Sequence, residues 1–169
     1  MILNTIRNHQ ILSNYIEEKC DEEGVCVEID SRIPKNNYVI IKVDNYYNSL
    51  NIAERPASPD CLIILECQNS GYAMYIVELK SIHSSSGFEI KNMDEKFKTC
   101  LYDFISNKFS DVLEIEYKRI TLYFVSKIEI YRRDMGLKLK VLQNKRYKYH
   151  DKKCFIEPLM PVPAIKPCY

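Results

Sequence analysis

The chain contains no tryptophan, no long apolar run and almost no net charge, and each absence removes a class of protein. None of its 169 positions opens a run of eighteen apolar residues, which excludes a membrane-spanning helix. Lys and Arg number 24 against 23 Asp and Glu, a net charge of +1, so bulk charge makes no case for nucleic acid. No G-x-G-x-x-G, Walker loop or H-E-x-x-H is present, which removes the usual dinucleotide, nucleotide and zinc-protease signatures. The seven cysteines, at 20, 26, 61, 67, 100, 154 and 168, include no C-x2-C or C-x4-C pair. His9 and His150 are not spaced with any Cys or Asp as a zinc site. No internal repeat is evident. The opening MILNTIRNHQ is too polar for a signal peptide. A cytoplasmic chain follows as the expectation, with most cysteines serving as small buried hydrophobes. A disulfide is compatible with a hyperthermophilic host.

What is present suits one folded domain spanning 1–169. Charged residues make up 28% and hydrophobic ones 46%, outside the disordered and fibrous ranges. The balanced total hides a split. Residues 1–111 hold 11 Lys and Arg against 17 Asp and Glu, whereas 112–169 hold 13 against 6. An acidic centre facing a basic surface would produce that asymmetry.

Hydrophobic periodicity predicts a helix over 2–19 and strands at 25–29 and 38–43, with mostly loop over 44–59. Cys61–Cys67 and Tyr72–Lys80 read as the two strands of a hairpin turning at Gln68-Asn-Ser-Gly71. They are apolar on both faces over much of their length, as central strands are. The clearest helix covers 92–109, and a strand covers 119–126. Residues 137–142 read equally as a strand or a short helix. Residues 153–157 could close an edge, and the proline-rich tail 158–169 is extended. The order predicts an α/β fold, a mixed central sheet with helices packed on its faces.

The hairpin carries the most informative residues. Asp60 stands at the entrance of its first strand, and Glu78 and Lys80 stand at the exit of its second. Antiparallel pairing of strands of matched length brings these ends together across a 17-residue gap. Residues two apart share a strand face, so Glu78 and Lys80 reach a common point while Val77 and Leu79 face away. Two neighbouring carboxylates repel when both are ionised, and a divalent cation relieves the repulsion. Mg²⁺ or Mn²⁺ suits oxygen ligands that leave room for water and phosphate. Asp60 and Glu78 would hold it, the backbone carbonyl of Leu79 could complete the shell, and Lys80 would stand beside the attacking water. His83, three residues beyond Lys80, could touch a phosphate.

The segment Ser58-Pro59-Asp60 … Val77-Glu78-Leu79-Lys80 resembles the PD-(D/E)xK nuclease superfamily, in which an Asp begins one strand and an acidic-x-Lys motif ends the next. The following helix and strand agree with that superfamily's restriction-endonuclease-like αβββαβ core. The resemblance implies a metal-dependent endonuclease hydrolysing DNA phosphodiesters, with Asp60 and Glu78 as metal ligands and Lys80 as the catalytic lysine. It also implies a further carboxylate from an upstream helix, for which Glu17 or Glu18 is available. A polar side chain from the helix after the motif would be Lys96 or Lys98, with Lys91 not separated from them. A homodimer would supply one site per strand. RNA is not excluded as substrate, and a non-catalytic nucleic-acid-binding or protein-interaction domain of the same fold is the alternative.

A place for nucleic acid is suggested by residues 131–153, where nine Lys and Arg stand against Asp134 and Asp151. Arg132, Arg133, Lys138, Lys140, Lys145, Arg146 and Lys148 would contact phosphates. Tyr147 and Tyr149 would stack on unpaired bases. If the segment is extended, Lys138 and Lys140 share a face.

Overall fold

In chain order, a computed structural model gives α1 (Ile2–Asn8), β1 (Ile16–Glu17), β2 (Cys20–Glu22), β3 (Val25–Ile29), β4 (Tyr38–Lys42) and α2 (Val43–Ser49). These are followed by β5 (Cys61–Glu66), β6 (Tyr72–Lys80), α3 (Ile90–Lys98), α4 (Ser110–Leu113) and β7 (Arg119–Ser126). The chain ends with α5 (Gly136–Asn144), β8 (Tyr147–Tyr149), β9 (Lys152–Cys154), β10 (Ile156–Leu159) and β11 (Ala164–Ile165). The structure describes residues 1–83, 85–127 and 136–169.

Six strands form a mixed sheet in the order β1-β4-β5-β6-β7-β10. The first four pair antiparallel, and β6, β7 and β10 run parallel. The two apolar hairpin strands lie in the middle, where every residue from Cys61 to Leu65 and from Ala73 to Leu79 is buried. Alternation then sorts their side chains between two cores. Leu62, Ile64, Met74 and Ile76 join the helices on one face, with Phe97, Leu101 and Phe104. Ile63, Tyr75, Val77 and Leu79 join the other, with Val25, Val27 and Ile165. That second face is covered by a small sheet in the order β11-β3-β2. The mixed central sheet flanked by helices is as expected, but among the described residues the helices lie on one face and the small sheet on the other.

Several predicted elements change. The 2–19 helix stops at Asn8, where the ring nitrogen Nδ1 of His9 accepts the amide hydrogens of Ile11 and Leu12. Those donors are lost to a continuing helix, and Ile16–Glu17 pairs instead with β4. The segment read as loop begins with α2, which buries Val43, Tyr46 and Tyr47. Residues 136–144 are helical, so Lys138 and Lys140 do not share a face. The 92–109 helix is α3 running directly into a π-helical stretch, Thr99–Lys108. β10 closes the sheet edge against β7, and the tail pairs as β11 with β3.

Four of the seven cysteines are not simple core hydrophobes. Cys20 is bonded to Cys61 and Cys67 to Cys168, which ties the small sheet and the tail to the central hairpin. Cys100 and Cys154 are buried free thiols, as expected. Among the described residues no helix is long and apolar enough to cross a membrane.

Candidate active site

The hairpin register decides the centre of the site. Cys61 lies opposite Val77, so the residue before it, Asp60, reaches the level of Glu78 and Leu79. The backbone N–H of Leu79 donates to Asp60 Oδ2 at 2.7 Å. On the other side, the Val43 N–H donates to the Asp60 carbonyl at 3.1 Å. Asp60 is thus fixed between β6 and the first residue of α2, which directly follows β4, although it belongs to neither.

Glu78 points to the helical face, with a side chain 1% exposed. Lys96 Nζ, one helical layer above, lies 2.6 Å from its Oε1, and Lys80 Nζ lies 3.6 Å from the same oxygen. The second oxygen, Oε2, is buried without a hydrogen-bond partner. Burial, and then the neighbouring charge of Asp60, push the Glu78 carboxyl up to about 8, against the pull of Lys96 and Lys80. Loss of hydration and a like charge both disfavour the ionised form.

Of the three candidate lysines on the helix, Lys96 is the one that lies beside Glu78. Lys98 is paired with Asp94 at 2.7 Å, and Lys91 reaches Glu95 at 3.9 Å, both on exposed faces. Two residues turn a helix by about 200°, which separates Lys96 from its neighbours at 94 and 98. Beside Asp60 and Lys96 opens a cleft of about 650 Å³, lined also by Asp44, Asn48, Arg55, Ser58 and Asn92. His83 lies exposed beyond the end of β6.

Glu17 and Glu18 do not end a helix, which corrects their expected route to the site. Glu17 pairs with Ile40, and Ile40 with Ile63. It therefore sits two strands away from β5 and three residues along from Asp60, roughly 10 Å in each direction. Both glutamates are exposed.

Two other carboxylates lie within electrostatic reach. The Glu22 carboxyl is raised by burial and then by Asp60, and lowered by Lys80. The Asp44 carboxyl is raised by burial, with Lys42 opposing and Asp60 adding. Glu22 lies in the short acidic stretch between the predicted helix over 2–19 and the predicted strand at 25–29, in neither element. The usable signal was Glu23-Gly24, a two-residue turn between short strands, with both residues at positive φ. Asp44 was hidden because proline-broken surroundings masked α2.

The basic segment is arranged otherwise than predicted. Tyr147 and Tyr149 are buried, their hydroxyls donating to Asp94 Oδ1 at 2.8 Å and the Ile115 carbonyl at 3.0 Å. Neither ring is presented for stacking on bases. Lys138 donates to the Phe88 carbonyl, Lys145 lies 3.9 Å from Asp94, and Arg146 covers the Phe155 ring. Lys140 and Lys148 are exposed. Arg132 and Arg133 lie outside the described residues.

Among the described residues no three His, Cys, Asp or Glu side chains gather closely enough to hold a metal ion by themselves. The pair Asp60 and Glu78 still fits a cation that keeps much of its water, as Mg²⁺ does. The unpartnered Glu78 Oε2 is an oxygen such an ion would satisfy. No protein-family model matches the chain, and no curated protein or solved structure is significantly similar to it.

Proposed function

We propose that the chain is a divalent-metal-dependent nuclease of the PD-(D/E)xK type, with a restriction-endonuclease-like core, hydrolysing phosphodiester bonds in DNA. The observation that carries this reading is the convergence of Asp60 with Glu78-Leu79-Lys80 at one end of the hairpin, joined by the Leu79 amide on Asp60. A Mg²⁺ or Mn²⁺ ion held by Asp60 and Glu78, with the Leu79 carbonyl available, would acidify bound water and stabilise charge developing on the phosphorane oxygens.

The chain's own groups have separate tasks. The Leu79 N–H holds the Asp60 carboxylate in one orientation. Lys96 favours the ionised form of Glu78 through Oε1 and leaves Oε2 free for a ligand. Lys80, whose side chain is 30% exposed, has access to solvent and donates to the attacking water, stabilising it as its proton leaves. The exposed lysines Lys140 and Lys148 add sequence-independent attraction for phosphates. A cytoplasmic homodimer acting on the two strands of a duplex completes the proposal, and two disulfides in that compartment suit a hyperthermophilic host.

A second reading is favoured by the 2.6 Å contact of Lys96 with Glu78. An ion pair of that kind can be structural, in a domain that binds nucleic acid or protein without cleaving. One experiment separates the two. Supercoiled, linear, single-stranded and branched DNA, and RNA, are incubated with Mg²⁺, Mn²⁺ or EDTA. Metal-dependent cleavage that falls by about 1,000-fold in Asp60→Ala and Lys80→Ala, with substrate binding little changed, supports the nuclease. Undiminished cleavage in both variants rejects these residue roles.

A further inference from the structure

The cleft beside Asp60 has two helical walls. Asp44 and Asn48, one turn apart on α2, line the first, and Asn92 and Lys96, one turn apart on α3, line the second. Both helices pack on the face to which Glu78 points, so the cleft opens onto the carboxylates of the site. Residues 50–60 join α2 to β5 without a helix or strand of their own, and they border the cleft through Glu54 and Arg55. α3 starts with no side-chain cap, and Asn92 belongs to its first turn. That border of the cleft therefore carries the partial positive charge of a helix N-terminus.

Arg55 is the distinctive group in this lining. Its Nη1 donates to Asn48 Oδ1 at 3.0 Å and to the Asn48 carbonyl at 3.3 Å, which fixes the guanidinium against the end of α2. Both partners are neutral. Among the described residues Arg55 joins no ion pair, and its Nε and Nη2 make no bond. Arg32 is the contrast, because Asp30 takes both its Nε and its Nη2, at 2.9 and 2.8 Å. Lys96, the other cation of the cleft, is committed to Glu78 at 2.6 Å. A guanidinium held by one nitrogen, with its opposite edge free, is preorganised for two parallel hydrogen bonds to a phosphate. Asp44, Glu54 and Asp60 line the same space and repel a phosphate, so the uncommitted cation there decides whether one is held.

We propose that the cleft between α2 and α3 seats one strand of the nucleic acid and that Arg55 binds a phosphate of that strand beside the bond to be cut. The inference rests on the nuclease reading and adds to it the path of the strand. It puts a phosphate contact on the loop before Asp60, in the acidic part of the chain, away from the basic segment 131–153. Arg55 is a binding residue, with no part in activating water.

The test reads binding apart from cleavage. Fluorescence anisotropy of a labelled single-stranded DNA oligonucleotide is followed across a salt series with Mn²⁺ present, in a Lys80→Ala background so that the strand stays whole. Arg55→Ala weakens binding about 10-fold and lowers the slope of log affinity against log salt by about 0.7, the share of one phosphate. Arg55→Lys restores the slope and only part of the affinity, because one ammonium replaces the fork. Arg32→Ala, whose fork is already filled, changes affinity less than about twofold. Asn48→Ala loosens the loop but keeps the guanidinium, so it retains the slope and loses less than Arg55→Ala. With Lys80 restored, Arg55→Ala raises KM about 10-fold and leaves kcat within about twofold.

Unchanged affinity and slope in Arg55→Ala, or an equal loss of both in Asn48→Ala, overturns this inference and leaves the nuclease reading intact. A wild type that cleaves with no metal, while Arg55→Ala still weakens binding, overturns the nuclease reading and leaves a strand-binding cleft. A wild type that binds no oligonucleotide overturns both. Should Lys80→Ala not fold, a cleaving wild type gives the answer as KM and a non-cleaving one gives it as binding.

Discussion

The site end of the β5–β6 hairpin and the basic stretch from α5 to β9 are both rich in charge, and they handle burial in opposite ways. In the first, a carboxylate is driven into the packed interior, two lysines meet one of its oxygens, and the other oxygen is left bare. In the second, Lys140 and Lys148 stay exposed, other lysines lie against backbone carbonyls or Asp94, and the tyrosines go inside to bond Asp94 and Ile115. A buried unsatisfied oxygen costs on the order of 1–3 kcal/mol, which folding does not recover without a ligand. Solvated lysines carry no such cost and offer only general attraction for phosphates. The comparison teaches that local density of charge marks neither a site nor its absence. What matters is whether an ionisable atom is held away from water without a partner.

The largest expected effect would break this contrast directly. Asp60→Asn should lower cleavage by about 1,000-fold, whereas Lys140→Glu with Lys148→Glu should weaken DNA binding and reduce its salt dependence by up to roughly two phosphate contacts. Equal loss of turnover from both changes, measured at saturating substrate, would erase the distinction.

Next comes the staple of the tail. Breaking Cys67–Cys168, which spans 101 residues, should destabilise the fold by about 2–5 kcal/mol, read by thermal or denaturant unfolding, without altering Mn²⁺ affinity.

A pH series sharpens the account of Glu78. Its carboxyl is pushed up to about 8 in the fold, against an ordinary value near 4.5. The native state therefore holds a proton that the unfolded chain has released over that interval, and the slope of stability with pH is negative. Metal-free protein should be most stable below about pH 4.5 with respect to this group and lose that contribution by pH 8, a swing of a few kcal/mol in order of magnitude. Glu78→Gln should remove the slope, and saturating Mg²⁺ should flatten it by stabilising the ionised form. Identical pH profiles for wild type and Glu78→Gln in EDTA would contradict the burial argument.

Smaller effects probe the basic stretch. Tyr147→Phe removes the bond to Asp94 and should cost about 1 kcal/mol of stability with DNA affinity unchanged; a loss of affinity at unchanged stability would return the ring to a binding role. Lys98→Ala breaks only an exposed pair on α3 and should change stability by at most about 0.5 kcal/mol.

Much of this arrangement was legible from local pattern. The strands at 25–29, 72–80 and 119–126 coincide with β3, β6 and β7, because β-branched and aromatic runs bounded by turn residues have few other uses. Proximity of Asp60 to Glu78 followed from matched strand lengths and a short turn. Other elements escaped for identifiable reasons. His9 diverts the first helix through two side-chain contacts that periodicity does not register. The stretch at 137–142 is helical where it packs by α3 and β10, a choice its mixed pattern left open. Glu22 and the two disulfides depend on pairings across 41 and 101 residues, and cysteine spacing alone does not specify connectivity.

The amino-acid order by itself determined the central hairpin, the shared face of Glu78 and Lys80, and the placement of Asp60 at their level, since strand alternation and antiparallel register act between near neighbours in the chain. Only the tertiary structure decided that Lys96 meets Glu78, that Glu17 pairs on the far edge of the sheet away from Asp60, and that Tyr147 and Tyr149 turn inward. Those outcomes depend on which layers pack together, and burial and charge there are set by neighbours far away in the chain.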